Sequence, residues 1–197
     1  MKVRRPAIFL DRDGTLIHDR PGFYLRKLEQ LRIYPFAFEA LRRLKRAGYR
    51  LVVISNQSGV GRGYLSAATL EKIHRRLRSQ LRLRGAALDG IYVCPHAPNA
   101  LCRCRKPSPL LARRAARELG LRWGRSCVIG DKKADVDLAR ALGLPCVHVA
   151  TGHGRRERLR HRGALRATHY AGNLAAAANW ILRELGSEGA RPGEGES

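Results

Sequence analysis

No apolar run in this chain is long enough to cross a bilayer and no signal-peptide hydrophobic region is present, so a non-membrane protein in a reducing cytoplasm is expected. The five cysteines imply no disulfide framework; Cys127 and Cys146 each lie inside an apolar strand pattern and read as core residues. Aromatic residues make up 6% of the chain, with no stacking cluster and no recognisable nucleic-acid module. Acidic residues are scarce, 16 against 39 Lys and Arg, which leaves a formal charge of +23. Such an excess attracts nucleic acid or anionic membrane nonspecifically, and a nonspecific contact with nucleic acid stays open. Much of it falls in helical stretches such as Arg75-Arg76-Leu77-Arg78, where a solvated face accounts for it. The run at 155–162 could instead border a site, and His153 before it is either a phosphate contact or an ordinary loop residue.

What acids there are stand in telling places. Ile8-Phe9-Leu10 reads as a buried strand, and Asp11-Arg12-Asp13-Gly14-Thr15 follows it at once. Gly14 predicts a turn that lets both carboxylates converge on one point, where they either bind a cation or share a proton. An isolated D-x-D-G is also an ordinary surface turn; what separates the readings is the company it keeps. A second apolar run, Leu51-Val52-Val53-Ile54, ends in Ser55-Asn56-Gln57-Ser58-Gly59. A third, Ile91-Tyr92-Val93, leads through a Cys/His segment to Arg105-Lys106-Pro107, and a fourth, Cys127-Val128-Ile129, ends in Gly130-Asp131-Lys132-Lys133-Ala134-Asp135. Each polar group follows a strand, and open parallel sheets bind ligands beyond the carboxyl ends of their strands.

Alternation of strands and helices predicts an α/β fold, a doubly wound, Rossmann-like parallel sheet with helices on both faces. At 197 residues the chain reads as a single domain over 1–185, with helices at 36–47, 66–83, 108–119, 135–142 and 173–185, and a disordered tail at 186–197. Only 41 residues separate Asp13 from Ser55, too few for a separate cap domain, so 19–31 is expected to be a loop that touches substrate through Asp19, Arg20 and Gly22.

In order, Asp11-x-Asp13-Gly14-Thr15, Ser55, Lys106 and Gly130-Asp131-x-x-x-Asp135 resemble the four motifs of the haloacid dehalogenase superfamily of phosphatases. More narrowly, Ser55-Asn56-Gln57-Ser58-Gly59, Cys94-Pro95-His96 and Cys104-Arg105-Lys106-Pro107 resemble the heptose 1,7-bisphosphate phosphatases and the related histidinol-phosphatases, over roughly residues 6 to 185. Ser55 departs from the Thr expected in the heptose enzymes but keeps the hydroxyl. The resemblance implies a capless phosphatase that removes the C7 phosphate of a heptose bisphosphate for surface polysaccharide synthesis. Histidinol phosphate, or a polynucleotide end reached by the basic surface, are the alternative substrates.

Phosphate ester hydrolysis needs a positioned nucleophile, a cation and a proton donor. Asp11 is the expected nucleophile, forming an aspartyl-phosphate, and Asp13, kept protonated by its acidic neighbour, the expected acid and then base. Mg²⁺ is assigned to Asp11, the Asp13 carbonyl and Asp131. Ser55 and Lys106 would hold the transferring phosphoryl group, with Asn56, Gln57, Ser58 and Lys132 around the substrate. Arg105 is the candidate for a second phosphate, because its planar fork grips phosphate bidentately. The set Cys94, His96, Cys102 and Cys104, with five residues between His96 and Cys102, suits a tetrahedral structural Zn²⁺ in a loop that fixes where Arg105 and Lys106 point. A small phosphorylated sugar is the expected partner and a monomer the expected state.

Overall fold

Six strands, each followed by a loop and a helix, wind into one parallel sheet in the order β3-β2-β1-β4-β5-β6. The structure is a computed structural model and describes residues 4–20 and 22–186. The strands are β1 (Arg5–Leu10), β2 (Arg50–Asn56), β3 (Gly90–Cys94), β4 (Leu121–Gly130), β5 (Cys146–Val149) and β6 (His169–Ala171). The α-helices are α1 (Pro35–Arg46), α2 (Ser58–Gly61), α3 (Ala67–Leu83), α4 (Leu110–Leu119), α5 (Lys133–Leu142), α6 (Gly154–Arg160) and α7 (Leu174–Glu184).

The period of two in a strand sends alternate residues to opposite faces, and both faces here are dry. Ile8 and Leu10 of β1 join Leu51, Val53, Cys127 and Ile129 against α1, α3 and α7. Ala7 and Phe9 join Val52, Ile54, Val128 and Cys146 against α4 and α5. Cys127 and Cys146 are therefore core residues. The doubly wound arrangement follows, and with it the place of the crevice: from β1 the chain builds outward to β2 and β3, then returns to the other flank for β4, β5 and β6. The carboxyl ends of β1, β2 and β4 are thus neighbours.

Helix ends follow their caps. Ser66 accepts from the Thr69 amide at 3.0 Å to start α3, and Asn173 accepts from Ala176 at 3.0 Å to start α7. Pro35 opens α1, one residue before the expected start, because its missing N–H costs nothing there. The sequence reading misplaced the start of β4 and missed α2, α6 and β6. β4 begins at Leu121 rather than 127, since its first turn pairs Arg5 with Leu121 before the register shifts past Pro6, and its exposed residues 122–124 leave no apolar run. β6 has only three residues, and α6 buries little besides Gly154. The expected tail lies, from 187 on, outside the described residues. Between Asp13 and Ser55 the described chain holds a loop with a 3-10 turn at Leu28–Gln30, then α1 and β2, so the loop expected at 19–31 is there.

Candidate active site

The turn after β1 is built by backbone bonds: Gly14 N–H donates to Ile17 O at 2.9 Å and Leu16 N–H to Arg12 O at 2.9 Å. Gly14 has φ +83°, and a Cβ there would lie 2.2 Å from Asp131 Oδ2, so a side chain is excluded by both conformation and space. Asp11 is tied to β4 by its amide, which donates to Ile129 O at 2.8 Å.

Beneath the turn lies a buried charge cluster. Lys106 Nζ donates to Asp11 Oδ1 and Asp135 Oδ1, both at 2.6 Å, and to Ile54 O at 2.7 Å, which uses all three of its protons. Burial opposes its charge, but Asp11 and Asp135 outweigh it and raise its pKa. Burial raises the pKa of Asp11, offset in part by Lys106. Asp135 Oδ2 accepts from the Lys132 amide at 3.0 Å, so this carboxylate holds the Lys106 ammonium rather than that of Lys132.

Asp131 is fully buried; its Oδ2 accepts from the His153 amide at 2.7 Å, while Oδ1 has no partner. Burial lifts its pKa well above the carboxylate range, against the pull of Lys132. A buried carboxylate oxygen without a donor is costly unless a cation meets it. Ligand atoms of Asp11, Asp131 and Asp135 lie within 4.8 Å of one another, so the donor chemistry, all hard oxygen, fits Mg²⁺.

Asp13 is not protected as an acid in the way the sequence implied. Burial raises its pKa, but Arg12, through Nε at 3.0 Å and Nη2 at 2.8 Å, and Gln57 Nε2 at 2.8 Å bring the net value below the ordinary one. The adjacent side chain is a guanidinium and not a second acid, and that reverses the expected sign. Arg12 is 2% exposed and went unassigned in the sequence, one Arg among 32.

The cluster floors a cleft of about 680 Å³. Asp11, Asp13, Asn56, Gln57, Ser58 and Lys106 line its depth, and Asp19, Gly22, Arg105 and Lys132 its walls. Ser55, Arg20 and Asp131 are not on the lining. Ser55 is 1% exposed and its hydroxyl accepts from Gln57 Nε2 at 2.7 Å, while Arg20 is exposed with its guanidinium over the Phe23 ring. The sequence reading also missed Tyr24, Arg26 and Tyr64 on the rim, where Arg62 lies too. Tyr24 Oη and Ser58 Oγ are 2.8 Å apart, and Arg26 lies 4.7 Å over the Tyr64 ring, so the 19–31 loop is fastened to the turn after β2. His153 lines the cleft with its ring 3.3 Å from Asp19 Oδ2, which also meets Lys132 Nζ at 3.4 Å. Asp131, Asp11 and Asp19 hold the pKa of Lys132 above its ordinary value despite burial.

Beside the cleft, the ligand atoms of Cys94, His96, Cys102 and Cys104 also lie within 4.8 Å of one another, a donor set that can hold a metal ion. The His96 Nδ1 is 3.3 Å from Cys104 Sγ and 3.5 Å from Cys94 Sγ. Two residues beyond Cys104, the Lys106 backbone is held by Asn56, whose Oδ1 accepts from the Lys106 amide at 2.9 Å and whose Nδ2 donates to Lys106 O at 3.2 Å.

A family model described as HAD-hydrolase-like matches residues 103–177. A D-glycero-beta-D-manno-heptose-1,7-bisphosphate 7-phosphatase from Pseudomonas putida is 38% identical over 178 residues, 90% of this chain and 98% of the relative. A D-glycero-D-manno-heptose-1,7-bisphosphate 7-phosphatase from Thermosynechococcus vestitus is 37% identical, over 92% of this chain and 97% of its own. Among solved structures, the D,D-heptose 1,7-bisphosphate phosphatase of B. bronchiseptica, complexed with magnesium and phosphate, superposes with a TM-score of 0.83 at 34% identity, covering 91% of this chain and 99% of that one.

Proposed function

The chain belongs to the haloacid dehalogenase-like phosphatases, which hydrolyse phosphate monoesters, and from that premise we propose that it removes the C7 phosphate of D-glycero-D-manno-heptose 1,7-bisphosphate in the cytoplasm. One observation carries the choice of a bisphosphate: Arg105 lines the cleft with a buried Nη1 that has no partner, beside the Lys106 that grips Asp11. A guanidinium edge left without an acceptor suits a second phosphate. Arg26 and Arg62 on the rim add to the same field.

Asp11 attacks phosphorus and the alcohol leaves, giving an aspartyl-phosphate. Asp13 hands the leaving oxygen a proton and then takes one from water. Its pKa is held low in the free protein, and the dianionic phosphate entering the cleft raises it, so the acid form is made when substrate arrives. Lys106 and Lys132 neutralise the phosphoryl oxygens, and Ser55 acts one step back by orienting Gln57. Asp11, Asp131 and the Asp13 carbonyl would hold Mg²⁺, which would supply further charge neutralisation there. The Cys94, His96, Cys102 and Cys104 set would hold Zn²⁺ as a structural ion that stiffens the approach to Lys106.

Histidinol phosphate would need a carboxylate for its ammonium. Among the described residues the cleft acid outside the centre is Asp19, and Lys132 and His153 already hold it. The test is phosphate release by zinc-loaded protein with Mg²⁺ from both anomers of heptose 1,7-bisphosphate, fructose 1,6-bisphosphate, histidinol phosphate and a 3′-phosphorylated oligonucleotide. Preference for one heptose anomer is expected, and preference for histidinol phosphate or the oligonucleotide overturns the substrate. Asp11→Asn should fold normally and release no phosphate; a fully active variant overturns the mechanism.

A further inference from the structure

Arg12 is the largest fully buried side chain among the described residues, and it stands between the two acids of the centre. A buried guanidinium is costly unless its donors are met, and replacing such a pair by apolar groups is often harmless to stability. Its environment therefore calls for an account beyond stability. Nε and Nη2 fork the Asp13 carboxylate at 3.0 and 2.8 Å, Nη2 also donates to Gln57 Oε1 at 2.8 Å, and Nη1 meets His74 Nε2 at 3.0 Å. His74 comes from α3, 62 residues away, and is 4% exposed.

The chemistry of this contact fixes its direction. A guanidinium has donors only, so His74 Nε2 is the acceptor and the imidazole carries its proton on Nδ1. Burial and the Arg12 charge agree, holding the His74 pKa down to about 3, so the ring is neutral at working pH. Gln57 closes the frame: its Oε1 takes Arg12 while its Nε2 donates to Asp13 Oδ2 at 2.8 Å and Ser55 Oγ at 2.7 Å, which settles its amide orientation from both ends. Asp13 thus receives one donor on Oδ1 and two on Oδ2, and its χ angles have no freedom left. A group that gives a proton to an alkoxide and then takes one from water must be held in place within a fraction of an ångström.

We propose that Arg12, seated from behind by His74, is a positioning residue that holds the Asp13 carboxylate in register for proton transfer to the leaving group. This rests on the reading of Asp13 as acid and base. His74 then belongs to the reaction although it touches no substrate: it sets the plane of the guanidinium, and the guanidinium sets the plane of the carboxylate.

The leaving group supplies the test. Ejecting the sugar alkoxide needs a proton, whereas p-nitrophenolate departs without one, so loss of proton transfer lowers kcat/KM for heptose 1,7-bisphosphate and spares p-nitrophenyl phosphate. With zinc-loaded protein and Mg²⁺, His74→Leu should lower kcat/KM on the sugar by at least about tenfold, through kcat with little change in KM, and that on p-nitrophenyl phosphate by less than about threefold. His74→Gln, which keeps an acceptor near the Nε2 position, should recover most of the loss. Arg12→Lys, which keeps the charge without the fork, should show the same selectivity as His74→Leu and serves if the latter fails to fold. Equal losses on both substrates, or a His74→Gln variant as impaired as His74→Leu, overturn the proposal. Asp13→Asn separates the levels: if it is selective for the sugar while the Arg12 and His74 variants are not, only the positioning role falls, and if it too is flat, the acid role of Asp13 falls and takes the proposal with it.

Discussion

Replacing Gly14 by Ala isolates what the turn after β1 does for the centre, because Gly48 offers a matched control. Gly14 has φ +83° and Gly48 φ +88°, so a Cβ at either position carries the same conformational cost, about 1 kcal/mol. The surroundings differ. A Cβ on Gly48 meets nothing within 4 Å, while one on Gly14 would lie 2.2 Å from Asp131 Oδ2, 2.7 Å from its Cγ and 3.0 Å from Gly152 Cα. Asp131 has to yield, and it cannot do so without losing the 2.7 Å bond that Oδ2 accepts from the His153 amide. Losing a hydrogen bond on a buried carboxylate costs about 1.5–3 kcal/mol.

Gly14→Ala should therefore destabilise by about 2.5–4 kcal/mol and Gly48→Ala by about 1 kcal/mol, as read from urea unfolding in magnesium-free buffer. Because the displaced residue is a magnesium ligand in the proposed mechanism, the Mg²⁺ concentration for half-maximal phosphate release should rise at least about tenfold in Gly14→Ala and stay put in Gly48→Ala. Equal destabilisation of the two variants, with unchanged magnesium dependence, would refute the reasoning that the turn is glycine for the sake of Asp131.

Lys106→Met leaves Asp11 and Asp135 buried without their shared cation, and should cost about 3–5 kcal/mol in urea unfolding as well as abolish phosphate release; a loss of activity at full stability contradicts this. Cys102→Ser should lower zinc content, read by emission spectrometry, and the thermal midpoint by about 5 °C or more together; unchanged zinc contradicts the ligand set. Asp89 is half-buried, which raises its pKa, but Lys45, the Leu51 amide and Arg50 more than reverse this and leave it lowered. A lowered carboxylate gives stability that is whole above its unfolded value near 3.8 and vanishes as pH falls through the folded value, so Asp89→Asn should cost about 1–2 kcal/mol at pH 7 and progressively less below pH 4. A pH-independent cost contradicts that linkage.

How much of this was legible in the sequence depended on whether residue type alone carried the meaning. Asp11, Asp131 and Lys106 could be assigned because each follows an apolar strand and few acids exist to confuse the reading. β6 was not legible because three residues hold no period, and the start of β4 was not because its exposed residues pair by backbone alone. Arg12 was hidden by abundance: in a chain with 32 arginines, one more beside two aspartates reads as surface, and only its 2% exposure and its four contacts show otherwise. The direction in which the Asp13 pKa moves was hidden with it, since its sign depends on which neighbour lies closest in space. Ser55 was placed on the right strand end, but the depth at which it stops, under Gln57, is a property of packing.

The distribution of charge gives the two halves of the composition separate roles. Five of the 16 acids, Asp11, Asp13, Asp19, Asp131 and Asp135, gather at or beneath one cleft beside Arg12, Lys106 and Lys132, while many of the other basic residues lie on exposed helix faces. A positive surface raises the encounter rate of a phosphorylated sugar, but a cleft that was itself positive throughout would bind phosphate and product tightly without polarising either. Concentrating carboxylates at the floor gives a cation somewhere to sit and a nucleophile something to be, and Lys106 keeps that concentration from repelling itself by spending all three protons on Asp11, Asp135 and Ile54 O. The backbone of Lys106 is in turn held from both sides by Asn56, at the end of β2, directly after the Cys/His loop. A metal in that loop would therefore act on the reaction through the placement of one ammonium, which is why zinc content and phosphate release should move together although no zinc ligand lines the cleft.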